Sequence, residues 1–435
     1  MLLRFEATNY RSFRDRCELS LIADEGDRFP ARTLLRHDEK GRKSPFLAVP
    51  AVALYGPNAG GKTNVLKALG YVHEAVVLSH TSWAPESGTR CVPFKFATEA
   101  RPSSFSIDFV VEGVRHAYSF VTDGDVFLEE RLSFFPVGRE RLLFSRTSST
   151  DGDGKAVTNV KAGEALSVDA RGLRSMERRT RGNSLFLSAA AQDDQPECLA
   201  VQKWFRMRLA IISDGDMIAH MGTATTARFI QTEPEKTAKI IDLMRRAEPR
   251  LRSIEVRERE VGKLDMLSSV IADGRREEMV RVFGLNQEVL FGFSDEAGEE
   301  ISLPLFEQSR GTQHLFGLAS TLLVVLENGL SLVVDELEAS IHPHLAHFVV
   351  DLFKNADTNP NGAQLIFSTH DTNLLDPTLL HRDQVWFVEK DDAGASHLYP
   401  LTDFDPVEGE NIERGYLRGR FGAIPALGLP ESWLS

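Results

Sequence analysis

Cysteine is scarce: Cys17, Cys91 and Cys198 stand far apart in a chain of 435 residues. That spacing offers neither a paired zinc motif nor a disulfide framework, and buried reduced thiols are the expected state. No apolar run approaches the ~20 residues of a membrane span. The opening MLLRFEATNYRSF is interrupted at once by charged and polar residues, unlike a secretory signal, so cytoplasmic residence with no membrane partner is the expectation. An excess of basic residues is missing too. Lys and Arg number 50 against 63 Asp and Glu, a net charge of −13. This excludes a uniformly basic nucleic-acid coat, although not a local basic patch. Internal repeats are absent. What is present, 42% hydrophobic and 26% charged residues, suits a globular core, and the length calls for two or three structural units.

Residues 1–22 alternate apolar and polar around the turn-like Asn9–Ser12 and read as an opening hairpin. Residues 24–48 are charged and loop-like. Ala51–Tyr55 is a short apolar run of the buried-strand type, followed by a glycine-rich loop and a helix from about Lys62. SFSIDFVV, HAYSFVT and RLSFFPV, within 104–147, are rich in β-branched and aromatic residues and predict a β-meander punctuated at Gly113 and Asp123-Gly124. Residues 148–183 are polar and read as containing a loop. Residues 184–250 read mostly as helices, including Glu235–Ala247 with Ile240, Ile241 and Met244 on one face. Ser253–Val256 and Met279–Phe283 are strand-like. From Gly311 the chain alternates helix and strand, the pattern of a parallel sheet covered by helices.

Three segments carry chemistry. GPNAGGKT (Gly56, Pro57, Asn58, Ala59, Gly60, Gly61, Lys62, Thr63) matches GxxxxGK[ST] between a predicted strand and a predicted helix. The backbone N–H groups of such a loop wrap phosphates, aided by the helix dipole; Lys62 reaches the β- and γ-phosphates and the Thr63 hydroxyl holds Mg²⁺. LSLVVDE (Leu330–Glu336) is an apolar strand that delivers two acids to a sheet edge, where open α/β sheets bind ligands. Asp335 suits the Mg²⁺ shell and Glu336 suits polarisation of an attacking water, because phosphoryl transfer needs a positioned nucleophile. AQLIFSTH (Ala363–His370) is a second buried strand, and His370 at its end can contact a γ-phosphate. SRGTQ (Ser309–Gln313) before a helix makes a further anion-binding corner through Ser309, Gly311 and Gln313. Together these residues predict binding and hydrolysis of ATP with Mg²⁺.

The order phosphate loop, SRGTQ, VVDE, STHD resembles ABC-type ATPases of the SMC, RecF and OLD-nuclease kind, and NYRSF (Asn9–Phe13) resembles their first strand. ERLLFSR (Glu140–Arg146), DELEASIHP (Asp335–Pro343) and YLRGRFGAIP (Tyr416–Pro425) are similar to compact ATPases of bacterial anti-phage defence, of the PARIS and RloA types. The resemblance implies an α/β fold: an ABC-type P-loop NTPase head with a mixed central sheet, an antiparallel β subdomain and an inserted, mainly helical region. It implies lobe I at 1–150, the insertion at 151–295, lobe II at 296–400 and a tail at 401–435. It also implies a head-to-head dimer or higher oligomer in which Ser309 and Gly311 touch the partner's γ-phosphate, with Glu336 the hydrolytic glutamate, His370 the switch histidine and Glu338-Ala339-Ser340 the D-loop. The signature departs from LSGGQ, and the only early candidate for the metal-contacting Q-loop glutamine is Gln192, because no glutamine precedes it. Heptad arms, a CxxC hook and a second acidic cluster of the nuclease type are not found in this chain.

What the ATPase would drive is less legible. RGLRSMERRTR (Arg171–Arg181) gathers Arg171, Arg174, Arg178, Arg179 and Arg181 against Glu177, a composition that suits DNA or RNA phosphates or an acidic protein. Arg245, Arg246, Arg250 and Arg252 read as a solvated helix end. The glycine-rich C-terminal segment is expected to fold over its own domain rather than dock a partner. Two readings follow: a sensor or scaffold that controls an effector protein such as a nuclease or toxin, and a RecF-like DNA-binding ATPase.

Overall fold

A computed structural model describes residues 1–23, 35–36, 47–136, 138–150, 156–212, 221–258, 287–407 and 409–425. The chain divides into two compact units: 1–213 with 329–335 and 353–435, and 214–328 with 336–352.

The first unit holds two large sheets. One is antiparallel, built from β1 (Leu2–Thr8), β2 (Cys17–Ser20), β6 (Ser103–Val111), β7 (Val114–Thr122), β8 (Phe127–Phe135), β9 (Arg141–Thr150) and β10 (Ala156–Ala162) in the order β10-β9-β8-β7-β6-β1-β2. A two-residue pair joins β3 (Leu35–Arg36) to β4 (Leu47–Ala48), and β4 is bridged to Ile22 just after β2. The other is mixed: β11 (Leu209–Ile212), β15 (Ser331–Val334), β16 (Gln364–Ser368), β5 (Ala51–Tyr55) and β17 (Val385–Lys390) run parallel, and β18 (Ser396–Pro400) closes the edge antiparallel to β17. β5, β15 and β16 are buried along their full length, which is why they read as unbroken apolar runs.

Helix α1 (Lys62–Leu78) is buried on nearly every side, through Val65, Leu66, Ala68, Leu69, Val72, Ala75 and Val76. One continuous core joins these residues to Phe105, Tyr118, Phe120 and Phe127 of the antiparallel sheet and to Leu54, Val333 and Ile366 of the mixed sheet. The rest of the unit is α2 (Ala170–Arg179), α3 (Phe186–Gln192) and α4 (Pro196–Arg208).

The second unit packs α5 (Thr223–Thr232), α6 (Thr237–Met244) and α7 (Arg310–Asn328) with a three-stranded antiparallel sheet, β12 (Leu251–Glu258), β13 (Gln287–Ser294) and β14 (Glu300–Pro304). Helix α8 (Pro343–Lys354) begins in this unit and ends in the first.

The structure differs from the expected layout in two places. Residues 151–295 are not one insertion: 156–212 belong with the first unit, and the second unit, although it carries a three-stranded sheet, has more helix than strand among its described residues. The polar stretch 148–183 holds β10 and α2, because Val160 and Met176 each enter the core and Asp169 caps α2 by accepting from the Gly172 N–H at 2.6 Å. The tail folds onto β17 as expected. The Tyr416 ring stacks on Phe387 at 5.4 Å, the Phe421 ring stacks on it at 5.7 Å, and α9 (Ile412–Leu417) is tied down where Thr372 donates to Glu413. The strand expected at Met279–Phe283 and most of 24–48 lie outside the described residues.

One buried ion pair locks α3 to the antiparallel sheet. Glu130 accepts from the Phe186 and Leu187 N–H groups at 2.6 and 2.9 Å and from Tyr118 Oη at 2.9 Å, while Arg146 lies 3.5 Å away and donates to Ser184 O. Neither side chain is exposed, and burial pushes the Glu130 carboxyl up and the Arg146 guanidinium down. Removing one partner strands a buried charge, at a cost of about 3–5 kcal/mol. Glu130→Ala is therefore expected to lower unfolding stability by that amount in urea titration, and Glu130→Gln with Arg146→Met to recover most of it.

Candidate phosphate and magnesium site

Gly56 to Gly61 form a cradle that side chains would obstruct. A Cβ on Gly56 would meet the Val388 carbonyl oxygen at 2.1 Å, and one on Gly60 would meet the same oxygen at 2.9 Å. Gly61, at φ 121°, would place a Cβ 2.4 Å from Ser396 Oγ, which itself donates to Gly60 O at 2.6 Å. The loop is thus pressed against the β17–β18 hairpin, and its backbone must be bare at these positions. α1 begins with no side-chain cap and no acid in its first turn, which leaves the positive helix end open to an anion. Lys62 is buried and its Nζ donates to Gly56 O at 2.8 Å and Pro57 O at 3.3 Å, so its charge lies over the loop that a phosphate would fill.

Two partners of this cradle went unnoticed in the sequence. Ser12, inside NYRSF, accepts from Asn64 Nδ2 at 2.8 Å, and its carbonyl accepts from the Ser396 N–H at 2.7 Å. The motif was legible, but Ser396, separated from it by the whole chain, gave no sequence signal.

Strand pairing brings the other predicted groups to the same sheet edge. Leu54 is level with Ser368 across β5 and β16, and Val334 with Phe367 across β15 and β16. The chain therefore leaves β5, β15 and β16 at one end, through the phosphate loop, Asp335 and Ser368-Thr369-His370. Asp335 is nearly buried, its N–H donates to Ile212 O at 3.1 Å, and its Oδ1 accepts from Ser368 Oγ at 2.5 Å. The Thr369 N–H donates to Leu54 O at 3.1 Å and Tyr55 Oη to Asp371 O at 3.3 Å, which hangs the exposed His370 beside the start of the loop. Thr63 follows Lys62 in the first turn of α1. A bare loop, a lysine and a carboxylate oriented by a serine fit a magnesium-bound triphosphate: Lys62 and the loop amides would hold phosphates, and Thr63 and Asp335 the metal.

Glu336 comes next in the chain, exposed, with φ at 52°. A left-handed non-glycine residue is costly and is kept only where the surrounding structure holds it. Ser340, four residues on, is also left-handed at φ 63°. Within the second unit the signature residues have local duties. Ser309 Oγ accepts from the Thr312 N–H at 3.1 Å as a helix cap, and Thr312 Oγ1 donates to Glu248 at 2.9 Å. Gln313 Nε2 donates to Gln308 O at 2.8 Å and Phe306 O at 3.2 Å. Gly311 lies so close to the D-loop that a Cβ would meet Ser340 O at 2.7 Å.

Gln192 is not brought to this site. It ends α3, whose start is fixed to the far end of α1: Ser188 Oγ accepts from the His80 N–H at 3.3 Å. The 17 residues of α1 separate that end from the phosphate loop by about 25 Å. Being the first glutamine in the chain carried no spatial information.

A ligand held through one hydrogen-bonded carboxylate is sensitive to its orienting partner, typically by 10–100-fold in metal affinity. Ser368→Ala is expected to raise the Mg²⁺ concentration for half-maximal ATP turnover about tenfold, with protein stability nearly unchanged by thermal melting.

No curated protein matches the chain. Two solved structures are similar: the SMC head bound to the C-winged helix domain of ScpA, at 13% identity over 92% of this chain and 97% of that one with a TM-score of 0.39, and the SMC head domain from Thermotoga maritima, at 13% identity over 92% and 98% with a TM-score of 0.38. The family model described as "AAA domain, putative AbiEii toxin, Type IV TA system" matches residues 51–376, from the strand before the phosphate loop to beyond His370. With well over half of its length matched by that model, and with the loop and acids in place, the chain belongs to this AAA-domain family.

Proposed function

We propose that the protein is an ATP-hydrolysing switch that dimerises on ATP and, as the sensor or scaffold subunit of an anti-phage defence system, controls an effector protein, a nuclease or toxin. The observation that carries the ATPase part is the convergence of the bare loop, Lys62, Asp335 and the His370 turn at one end of β5, β15 and β16. The family's toxin–antitoxin description supports the defence part.

In this reading the loop amides and Lys62 bind the β- and γ-phosphates. Thr63 and Asp335 would hold Mg²⁺, which would supply charge neutralisation at the phosphate oxygens. Glu336 orients the water whose oxygen bonds to the γ-phosphorus as the bond to the ADP oxygen breaks, and it takes up the water's proton. His370 contacts the γ-phosphate and distinguishes ATP from ADP. Ser309, Gly311 and Gln313 of one copy complete the site of another. Left-handed turns stand at Glu336, before the D-loop, and at Ser340, its last residue, and Gly311 lies against Ser340 O, so the D-loop and the signature are in direct contact within one unit. A second reading, a RecF-like DNA-binding ATPase, draws its support from the arginines of α2 alone.

Lys62→Ala is expected to abolish nucleotide binding in equilibrium dialysis. Glu336→Gln is expected to keep binding while turnover falls at least about 100-fold, the usual contribution of a positioned base, and to accumulate an ATP-dependent dimer in light scattering. Wild-type turnover by Glu336→Gln would remove that residue from the reaction.

A further inference from the structure

Five arginines lie between Arg171 and Arg181, and the fold divides them into two classes. Arg179 is paired with Asp193. Arg181 is a structural clamp that donates to Ser79 O, His80 O and Trp83 O at 2.8, 3.2 and 3.1 Å. The other three, Arg171, Arg174 and Arg178, are exposed on α2, and among the described residues none has an ion pair or hydrogen bond. Their spacing of three and four puts them on one face of the helix. The nearby acids are engaged with backbone: Asp169, before the segment, caps α2, and Glu177 accepts from the Val160 N–H at 3.2 Å.

Helix stability does not explain this row. Arg171 lies in the first turn, where the positive end of the helix dipole disfavours cations. Arg178, in the last turn, is favoured by the dipole, but Arg174 follows Arg171 by three residues and precedes Arg178 by four, so the row is built of like-charge neighbours that repel. A merely solvated face in a chain of net charge −13 would be expected to mix signs. The helix is nonetheless held firmly, by buried Met176 and by Thr180 Oγ1, which donates to Met176 O at 2.9 Å. The three guanidinium groups are thus carried on a fixed support at a cost to the helix itself. Arg171 and Arg178 are about 10 Å apart along the axis, a length over which one DNA strand presents about three phosphates.

We infer that the Arg171–Arg174–Arg178 face of α2 binds the phosphate backbone of a nucleic acid without reading its sequence. The contact is independent of ATP hydrolysis, and base edges have no partner in it. It gives the protein a nucleic acid as ligand through a surface on the first unit, supplied entirely by α2.

The test is the salt dependence of binding to a labelled duplex oligonucleotide, read by fluorescence anisotropy. Each phosphate neutralised contributes about 0.9 to the slope of log affinity against log salt. The triple substitution Arg171→Ala, Arg174→Ala, Arg178→Ala is expected to flatten the slope by about two to three units and to weaken binding by more than tenfold at low salt. Replacing all three by Lys keeps the slope. Arg174→Gln alone, should the triple variant fold poorly, loses about one unit. The inference is overturned if the wild-type protein fails to bind the duplex at low salt, if the triple variant keeps the wild-type slope, or if polyglutamate of equal charge displaces the duplex at the same concentration, which would mark an acidic-protein surface instead.

Discussion

The closest approach that matters in this molecule is between the phosphate loop and the β17–β18 hairpin. Two loop glycines lie against one carbonyl oxygen, that of Val388, and a third lies against Ser396, whose hydroxyl bonds to the loop. Backbone this tightly stacked admits no side chain, and the residues that make the loop bare for phosphate also let it rest on its support. The same hairpin is covered by the C-terminal segment through Tyr416 and Phe421 on Phe387. A residue near the chain's start, Ser12, joins in by bonding Asn64 and Ser396. The loop's shape is therefore held by segments from both extremes of the sequence, and the glycines only make it possible.

Around this support, α1 is enclosed between two sheets of different kinds. Its burial on nearly all sides couples the site-bearing parallel strands to the antiparallel layer through a single core. The Glu130–Arg146 pair extends that layer to α3 by giving two orphan helix amides a carboxylate acceptor. A buried pair of this kind fixes geometry more than it adds stability, and here it fixes the helix that follows the arginine-bearing α2.

Charge follows the same division between support and use. Arg181 and Arg146 are committed to backbone carbonyls, as Glu130 is to backbone amides. Of the three arginines left exposed on α2, Arg171 stands at the helix end where the dipole opposes a cation and Arg178 at the end where it favours one. In the second unit, Ser309, Gly311 and Gln313 likewise have local structural roles as cap, close contact and turn clamp, so a role toward a partner would be an addition to work they already do.

The sequence by itself determined what is local and periodic. The strand–loop–helix around Lys62, the acid at the end of β15, the histidine after β16 and the first strands of the meander were all legible, because apolar runs, glycine spacing and alternation act over a few residues. Only the tertiary structure decided which distant segments meet. It assigned 156–212 to the first unit because Val160 and Met176 find a core there. It set Ser368 on Asp335, placed Ser396 under the phosphate loop, and left Gln192 at the wrong end of α1. It also separated the three arginines on offer from the two in use. None of these has a period or a motif. Each depends on which groups packing brings within hydrogen-bonding reach once the strands are in register, and that is a property of the assembled chain, not of any stretch of it.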